Sequence, residues 1–280
     1  MNPPKITASI VVHRAPAEQL RRVLGCVTSD RVDKVRVIDN GPDNSLAEVV
    51  RGFDRCDYLH VVNRGFGAGH NMAIREAAEE GSDFHVVLNA DVVWDGDVIG
   101  RMADYAVAHP DVLLMGPKVF YPDGALQYSC RMLPTPSDLI LKRFIPASLT
   151  RESMRRYLLA DVDHDRPFEC SYLLGSFMFF RTRALVEEGM FDERFFMYPE
   201  DIDISRRLAM KGRVLYWPEA SIVHEHAAAS RRSLRMLGIH VVNMCRYFNK
   251  WGWIRDEYRR ESNKRLLDLP RVADAPVGRG

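Results

Sequence analysis

The sequence predicts an α/β fold: a mostly parallel, mixed central sheet flanked by helices, followed by a helical C-terminal extension. Three observations predict it. Short β-branched runs alternate with segments of helical spacing through the first half of the chain. Strand–helix–strand units of this length imply parallel pairing with right-handed crossovers. From about Ala227 to Arg265 the pattern becomes long, helical and basic.

In chain order, "ITASIVV" (6–12) reads as the first strand, and "APAEQLRRVLGCV" (15–27) as a helix with Leu20, Val23, Leu24 and Val27 on one face. "KVRVID" (34–39) is a second strand that ends in the turn cluster "DNGPDNS". "YLHVVN" (58–63) is a third, followed by the glycine-rich "RGFGAGHN" and a helix through about Glu80. "FHVVLNAD" (84–91) is a fourth, with a helix from about Asp95 to His109. "VLLMGPKVFYPDGALQY" (112–128) reads as a strand and hairpin turning at "PDG". The segment 133–158, rich in prolines and bases, reads as a mobile excursion. A strand runs into a helix over 173–189, and a loop leads into a helix over 195–212 with Gly212 as its stop. "RVLYWPEASIVHEH" (213–226) gives two short strands around Trp217-Pro218.

Bulk properties narrow the function. The 280 residues are enough for a substantial core, and Lys+Arg 39 against Asp+Glu 38 gives no basis for a nucleic-acid partner. Five scattered cysteines without a CxxC pair suit reduced thiols in a cytoplasmic protein. The opening "MNPPKITASIVVHR" resembles neither a signal peptide nor a spanning helix, and no segment has the roughly 20 apolar residues a bilayer crossing requires. The expectation is a soluble protein, or one peripheral on the inner face of the cytoplasmic membrane.

Ligands of parallel sheets bind at the carboxyl ends of the strands. Asp39, Asn63 to Asn71 and Asp91 all fall on that rim. Asp91 closes an apolar run, either as a strand end reaching solvent or as a carboxylate holding a divalent cation that also binds phosphate. Asp95 is expected to cap the next helix, with Asp97 in its first turn. Glycines 65, 67 and 69 suit a phosphate-cradling turn at a helix N-terminus. His70 stands where a dinucleotide fingerprint needs its third glycine, which argues against an oxidoreductase. "MYPEDIDISRRL" sets Glu200, Asp201 and Asp203 at a helix start behind the aromatic loop "FDERFFMYP". Capping explains one or two of these acids; a carboxyl in apolar surroundings also gains the raised pKa of a general base. His224 and His226 fall on one side of a strand, as structural residues or metal ligands.

In this order the motifs resemble the family-two, inverting, GT-A-fold glycosyltransferases, in particular their bacterial rhamnosyltransferase branch, from about Ile6 to His226. The resemblance divides the chain into a catalytic domain, 1–226, with a nucleotide-sugar half (about 1–116) and an acceptor half (about 117–226), and an extension, 227–280. It implies donor contacts from Val12, His13 and Arg14 at the end of "SIVVHR", and from Asp39 in "VIDNGPDNS". It implies further donor contacts from Asn63, Gly65, Phe66, Gly67 and Asn71 in "NRGFGAGHN", and from Asn89-Ala90-Asp91, which stands where the family has Asp-x-Asp. With Asn89 in place of the first acid, Asp91 becomes that element's one carboxylate ligand to Mg2+ or Mn2+, joined by His224. Gly175, Ser176, Phe177 and Glu200 fall on the acceptor side, and Asp201 matches the catalytic base. The implied reaction moves a sugar, L-rhamnose from dTDP-rhamnose in the rhamnosyl branch, from a nucleotide diphosphate to a saccharide or lipid-linked saccharide in bacterial cell-surface polysaccharide synthesis. Galactofuranosyl or other hexosyl transfer from a UDP-sugar uses the same motifs. A dinucleotide oxidoreductase or a non-catalytic nucleotide- or carbohydrate-binding module is the rival class; the acids at 91 and 200–203 argue against both.

Between Arg231 and Arg265 ten Lys/Arg face three acids, interleaved with Tyr247, Phe248, Trp251, Trp253 and Tyr258. Such a stretch suits peripheral contact with an anionic membrane. The competing expectation packs these aromatics on the catalytic domain or, in a homodimer, on a second subunit.

Overall fold

A computed structural model describes residues 3–139, 147–225 and 234–272. The N-terminal half runs β1 (Ile6–Val12), α1 (Ala17–Ser29), β2 (Lys34–Asp39), α2 (Ala47–Arg51), β3 (Cys56–His60), α3 (Phe66–Glu79), β4 (Phe84–Leu88), β5 (Val92–Val93) and α4 (Val98–Ala108). Then come β6 (Val112–Phe120), β7 (Leu126–Gln127), β8 (Cys130–Arg131), α5 (Pro136–Leu139), α6 (Ala147–Tyr157), β9 (Phe168–Glu169), β10 (Tyr172–Leu173) and β11 (Phe177–Arg181). The chain continues through α7 (Thr182–Glu187), α8 (Glu200–Ala209), β12 (Arg213–His224), α9 (Leu234–Trp251) and α10 (Glu257–Leu267).

The main sheet has the order β3-β2-β1-β4-β11-β6-β12-β5, with β7 on β6 and β9 on β12, while β8 and β10 form a separate pair. β3, β2, β1 and β4 are mutually parallel, as the alternating pattern predicts. Helix α1 buries Leu20, Val23, Leu24 and Val27 against this sheet, each fully covered, at roughly 1.5–3 kcal/mol per side chain. β4 is buried throughout, as a central parallel strand must be. Antiparallel β11 between β4 and β6 makes the sheet mixed. That reversal organises the site: it sets Phe177 opposite Leu88, so the chain enters β11 on the rim where β4 ends. There Asn89 N–H donates to Ser176 O at 2.9 Å.

Several local expectations need correction. The third strand covers 56–60, and the fourth stops at Leu88, leaving Asn89 to Asp91 in the turn beyond it. Helix α4 is capped by Asp97, not Asp95, through an N–H from Gly100 at 3.2 Å. Asp30, arriving from the end of α1, accepts the Ile99 and Gly100 N–H groups as well, at 2.9 and 3.0 Å. The described parts of 133–158 are not a mobile excursion but two helices, with Tyr157 and Leu158 in the core; residues 140–146 lie outside the described residues. Instead of two strands, β12 is continuous and absorbs Pro218 in a register shift between Trp217 and Ser221. Gly212 is not a left-handed helix stop: it leads into β12 where a Cβ would stand 2.7 Å from Leu113 Cγ and 2.8 Å from Asp111 O. The C-terminal helical stretch divides at Gly252, whose φ of +104° suits glycine. His226, Arg231 and Arg232 lie outside the described residues.

The tail aromatics take the packing alternative. Tyr247 and Phe248 are buried with Phe195, Ile202 and Met244, and Trp251 and Tyr258 pack against the same cluster. Trp253 and Ile254 stay at the surface, 39% and 90% exposed. No described helix is long and apolar enough to cross a membrane.

Candidate active site

The rim assembles from the ends of β1, β2 and β3 and the start of α3. Asp39 is buried at the end of β2, where Tyr58 OH donates to one oxygen and Gly41 N–H to the other, both at 2.7 Å. At the end of β1, Val12 is buried while His13 and Arg14 are exposed. His13 Nδ1 lies 2.8 Å from Asn40 O and 3.4 Å from Asn63 Nδ2. Asn63 Oδ1 accepts Gly65 N–H at 3.0 Å, shaping the turn into α3. Gly65 has φ +107°, and a Cβ there would lie 2.2 Å from Phe196 O, so both conformation and space demand glycine. Phe66 N–H donates to the same Phe196 carbonyl at 3.0 Å.

Close approach explains the next glycines. A Cβ on Gly69 would meet Val11 Cγ2 at 2.8 Å, because α3 lies directly on β1. A Cβ on Gly67 would meet Phe191 Cβ at 2.8 Å and Glu200 Cβ at 3.7 Å, so the start of α3 abuts the start of α8. Asn71 is committed to this junction rather than to the rim: its amide donates to Phe191 O and Glu193 Oε1, and its oxygen accepts Phe191 N–H. His70 occupies the core side of α3, with Nδ1 2.7 Å from Ser9 Oγ; Ser9 Oγ in turn lies 2.8 Å from His85 Nε2. Burial holds both imidazoles well below their ordinary pKa, so this chain of polar groups is neutral.

The acids converge on the same place. Gly175 N–H donates to Asp201 Oδ2 at 3.0 Å, and Ile202 N–H to Oδ1 at 2.8 Å. A Cβ built on Gly175 would lie 3.5 Å from Asp201 Cβ and 3.6 Å from Phe66 Cε1. Phe66 from the start of α3, Gly175 from the entry to β11 and Asp201 from α8 therefore meet. The adjoining Ser176 carries the hydrogen bond from Asn89, two residues before Asp91. Burial raises the pKa of Asp201, opposed by the two amides and by Arg131. Glu200 is pushed up to about 8, first by burial and then by the Asp201 charge, and its Oε2 is buried without a hydrogen-bond partner. Asp203, third acid of the motif, points elsewhere: it is fully buried and pairs with Arg207, Lys250 and Trp251.

At the far end of the rim, β5 pairs with β12 so that Val92 faces His224, and Asp91 O accepts Glu225 N–H at 2.8 Å. His224 Nε2 lies 3.2 Å from Asp91 Oδ1. Its Nδ1 lies 2.7 Å from Gln127 Oε1, an acceptor, so Nδ1 carries the ring proton. Nε2 then faces the Asp91 carboxylate. One carboxylate, one imidazole and an amide oxygen fixing the ring form a donor set that fits a divalent transition ion. Among the described residues no group of three His, Cys, Asp or Glu side chains gathers.

Sequence reasoning did not single out Gln127, Tyr58 or Arg131. Gln127 and His224 lie 97 positions apart, and no local spacing links them.

Comparison with known proteins identifies the family. Residues 4–243 match the profile described as glycosyltransferase like family 2. An N-acetylglucosaminyl-diphospho-decaprenol L-rhamnosyltransferase of Mycobacterium tuberculosis is 29% identical over 240 residues, 80% of this chain and 77% of that protein. Rhamnosyltransferase WbbL of Escherichia coli K12 is 25% identical over 224 residues, 77% of this chain and 81% of that protein. Among solved structures, GalNAc-T7 with UDP, GalNAc and Mn2+ aligns with a TM-score of 0.66 at 15% identity, over 96% of this chain and 52% of that one. The mannosyltransferase PcManGT of Pyrobaculum calidifontis with GDP-Man and Mn2+ aligns at 0.55 and 15%, over 95% of this chain and 74% of that one. At these identities the structural likeness concerns the fold.

Proposed function

The chain belongs to glycosyltransferase family 2, and from that membership we propose that it transfers L-rhamnose from dTDP-rhamnose, with inversion, to a lipid-linked saccharide carrying a diphosphate. The rhamnosyltransferase relatives support the sugar, and the name of the mycobacterial one supports the acceptor. The observation that carries the mechanism is the meeting of Phe66, Gly175 and Asp201.

Donor binding falls to the rim. Asp39, His13 and Asn63 surround the nucleoside, and the start of α3 offers its positive end to the diphosphate. Asp91 and His224 would hold Mn2+ or Mg2+. When bound, that ion offsets the charge developing on the departing nucleoside diphosphate. Asp201 accepts the proton of an acceptor hydroxyl as its oxygen forms the new bond to the anomeric carbon; the bond to the nucleoside diphosphate breaks on the opposite face. One displacement of this kind inverts the anomeric centre and needs no enzyme nucleophile. Gly175 and Ile202 aim the carboxylate, and burial raises its basicity.

A thermal-shift panel of nucleoside diphosphates and their sugars, with and without Mn2+, tests the donor assignment. A ligand at a hundred times its Kd adds about 2.7 kcal/mol and raises Tm visibly. dTDP-rhamnose should give the largest metal-dependent shift. A larger shift from a UDP-hexose would replace the rhamnosyl assignment, and absence of any metal-dependent shift would remove the site. We extend the reading to location: the exposed Trp253-Ile254-Arg255 tip between α9 and α10 suits an anionic membrane surface. Failure to co-sediment with anionic vesicles at low salt would exclude it.

A further inference from the structure

Beside the base stands a cation with no assigned role. Arg131 lies on β8 directly across from Tyr172 of β10, and its Nε donates to Tyr128 O at 3.0 Å. α8 packs over this strand pair: Leu173 N–H donates to Ser205 Oγ at 3.3 Å, and two residues further on Gly175 N–H reaches Asp201. Tyr157 OH and Tyr172 OH, 2.8 Å apart, stand beside the guanidinium. Only partly exposed, Arg131 forms no ion pair among the described residues. Desolvation works against its charge, and the Asp201 carboxylate favours it.

These neighbours all follow residue 116 in the chain, whereas Asp39, the start of α3 and Asp91 precede it. A partly buried guanidinium that makes no direct ion pair is costly to a protein that gains nothing from it. Its Nε bond to Tyr128 O fixes the plane of the fork and leaves the terminal nitrogens for a ligand. That planar fork matches two oxygens of a phosphate.

We propose that Arg131 grips a phosphate of the acceptor, so that the acceptor is a sugar phosphate or diphosphate whose anionic group sits on Arg131 while one of its hydroxyls faces Asp201. This rests on the sugar-transfer reading above, whose acceptor carries a diphosphate, and adds the residue that recognises it. Arg131 is then a specificity-determining residue: it separates phosphate-bearing acceptors from neutral glycosides. The donor diphosphate is the other source of the same chemistry, and the test separates the two.

The protein is first saturated with Mn2+ and dTDP, then titrated calorimetrically with farnesyl diphosphate and, in the same detergent, with farnesol. Wild type should bind the diphosphate at least about 10-fold more tightly than the alcohol, the lower end for a charge-assisted contact. Arg131→Ala should bring the two to one level, and Arg131→Lys should keep part of the preference. Affinity for Mn2+ and dTDP should stay within about 2-fold in both variants, which also reports that the fold is intact. No preference in wild type overturns the proposal. So does a loss of dTDP affinity in Arg131→Ala, which assigns the residue to the donor. Failure of wild type to bind dTDP at all removes the sugar-transfer reading and this proposal with it.

Discussion

Glu200 and Asp201 are chain neighbours on the first turn of α8, yet one carboxylate accepts two amide N–H groups and the other has a buried oxygen with no partner. The difference follows from direction. Asp201 faces the entry to β11, where Gly175 offers its N–H, while Glu200 turns toward Gly67 and Phe191 at the start of α3. The two amides favour the ionised form of Asp201, while burial pushes Glu200 up to about 8, toward its protonated form.

This asymmetry predicts how two conservative variants divide. Asp201→Asn should lower kcat by about 10²- to 10⁴-fold, the range for loss of a general base, with Mn2+–dTDP affinity nearly unchanged. Glu200→Gln replaces a neutral acid by a neutral amide and should keep kcat within about 10-fold at pH 7. Steady-state kinetics on both variants check it. A Glu200→Gln enzyme as inactive as Asp201→Asn would mean that the charge at position 200 is used.

Glu200 also links stability to pH. In the unfolded chain it loses its proton near the ordinary value of 4.5; in the folded protein it holds the proton up to about 8. Between these values the folded state carries the extra proton, so stability is greatest at the acid end. It falls as pH rises through this range. Asp201, raised for the same reason, adds a slope of the same sign. Tm of wild type should therefore decline from pH 5 to pH 8, and Glu200→Gln should flatten the decline. Parallel curves for the two proteins would contradict it.

How far the sequence discloses this arrangement depends on the range of each interaction. The strands 6–12 and 34–39, and the buried face of α1, follow from local periodicity and agree with the structure. The rim acids were legible because parallel strands deliver their ends to one side. Gln127, Arg131 and the second α4 cap, Asp30, were not, since each acts on a partner distant in sequence. Pro218 was read as a strand break because the bulge that absorbs it is a property of the pairing with β6, not of the peptide. The tail was ambiguous for another reason. Bases and aromatics at helical spacing look the same whether they face lipid or another helix; here Tyr247 and Phe248 pack with Phe195 and Ile202, while Trp253 stays at the surface.

The His224–Gln127 contact predicts a metal phenotype away from the ligands themselves. Gln127→Leu removes the acceptor that fixes the ring and its tautomer, 2.7 Å from Nδ1. Loss of such a partner typically lowers metal affinity about 10- to 100-fold. Mn2+ titration in the presence of dTDP should show that decrease, with metal-independent dTDP binding retained. His224→Ala and Asp91→Ala should reduce the metal dependence further. An unchanged Mn2+ affinity in Gln127→Leu would show that the ring needs no such support.

The C-terminal helices bear on the same active helix through a buried ion pair. Arg206 of α8 donates from both terminal nitrogens to Asp256, at 2.6 Å each, with side-chain exposures of 3% and 2%. The guanidinium also stacks near Trp251, 4.1 Å from the ring centroid, so neither partner has water to fall back on. Removing one partner of such a pair strands the other and costs about 3–5 kcal/mol, whereas replacing both by apolar groups is often neutral. Asp256→Ala should accordingly lower Tm by about 10 °C, at 2–4 °C per kcal/mol for a chain of this order. Arg206→Met combined with Asp256→Leu should recover most of that loss. If the single and double variants melt together, the pair is not what holds α9 and α10 to α8. If the double variant is stable but slow in transfer, the charge pair serves the placement of Asp201 five residues upstream rather than the stability of the fold.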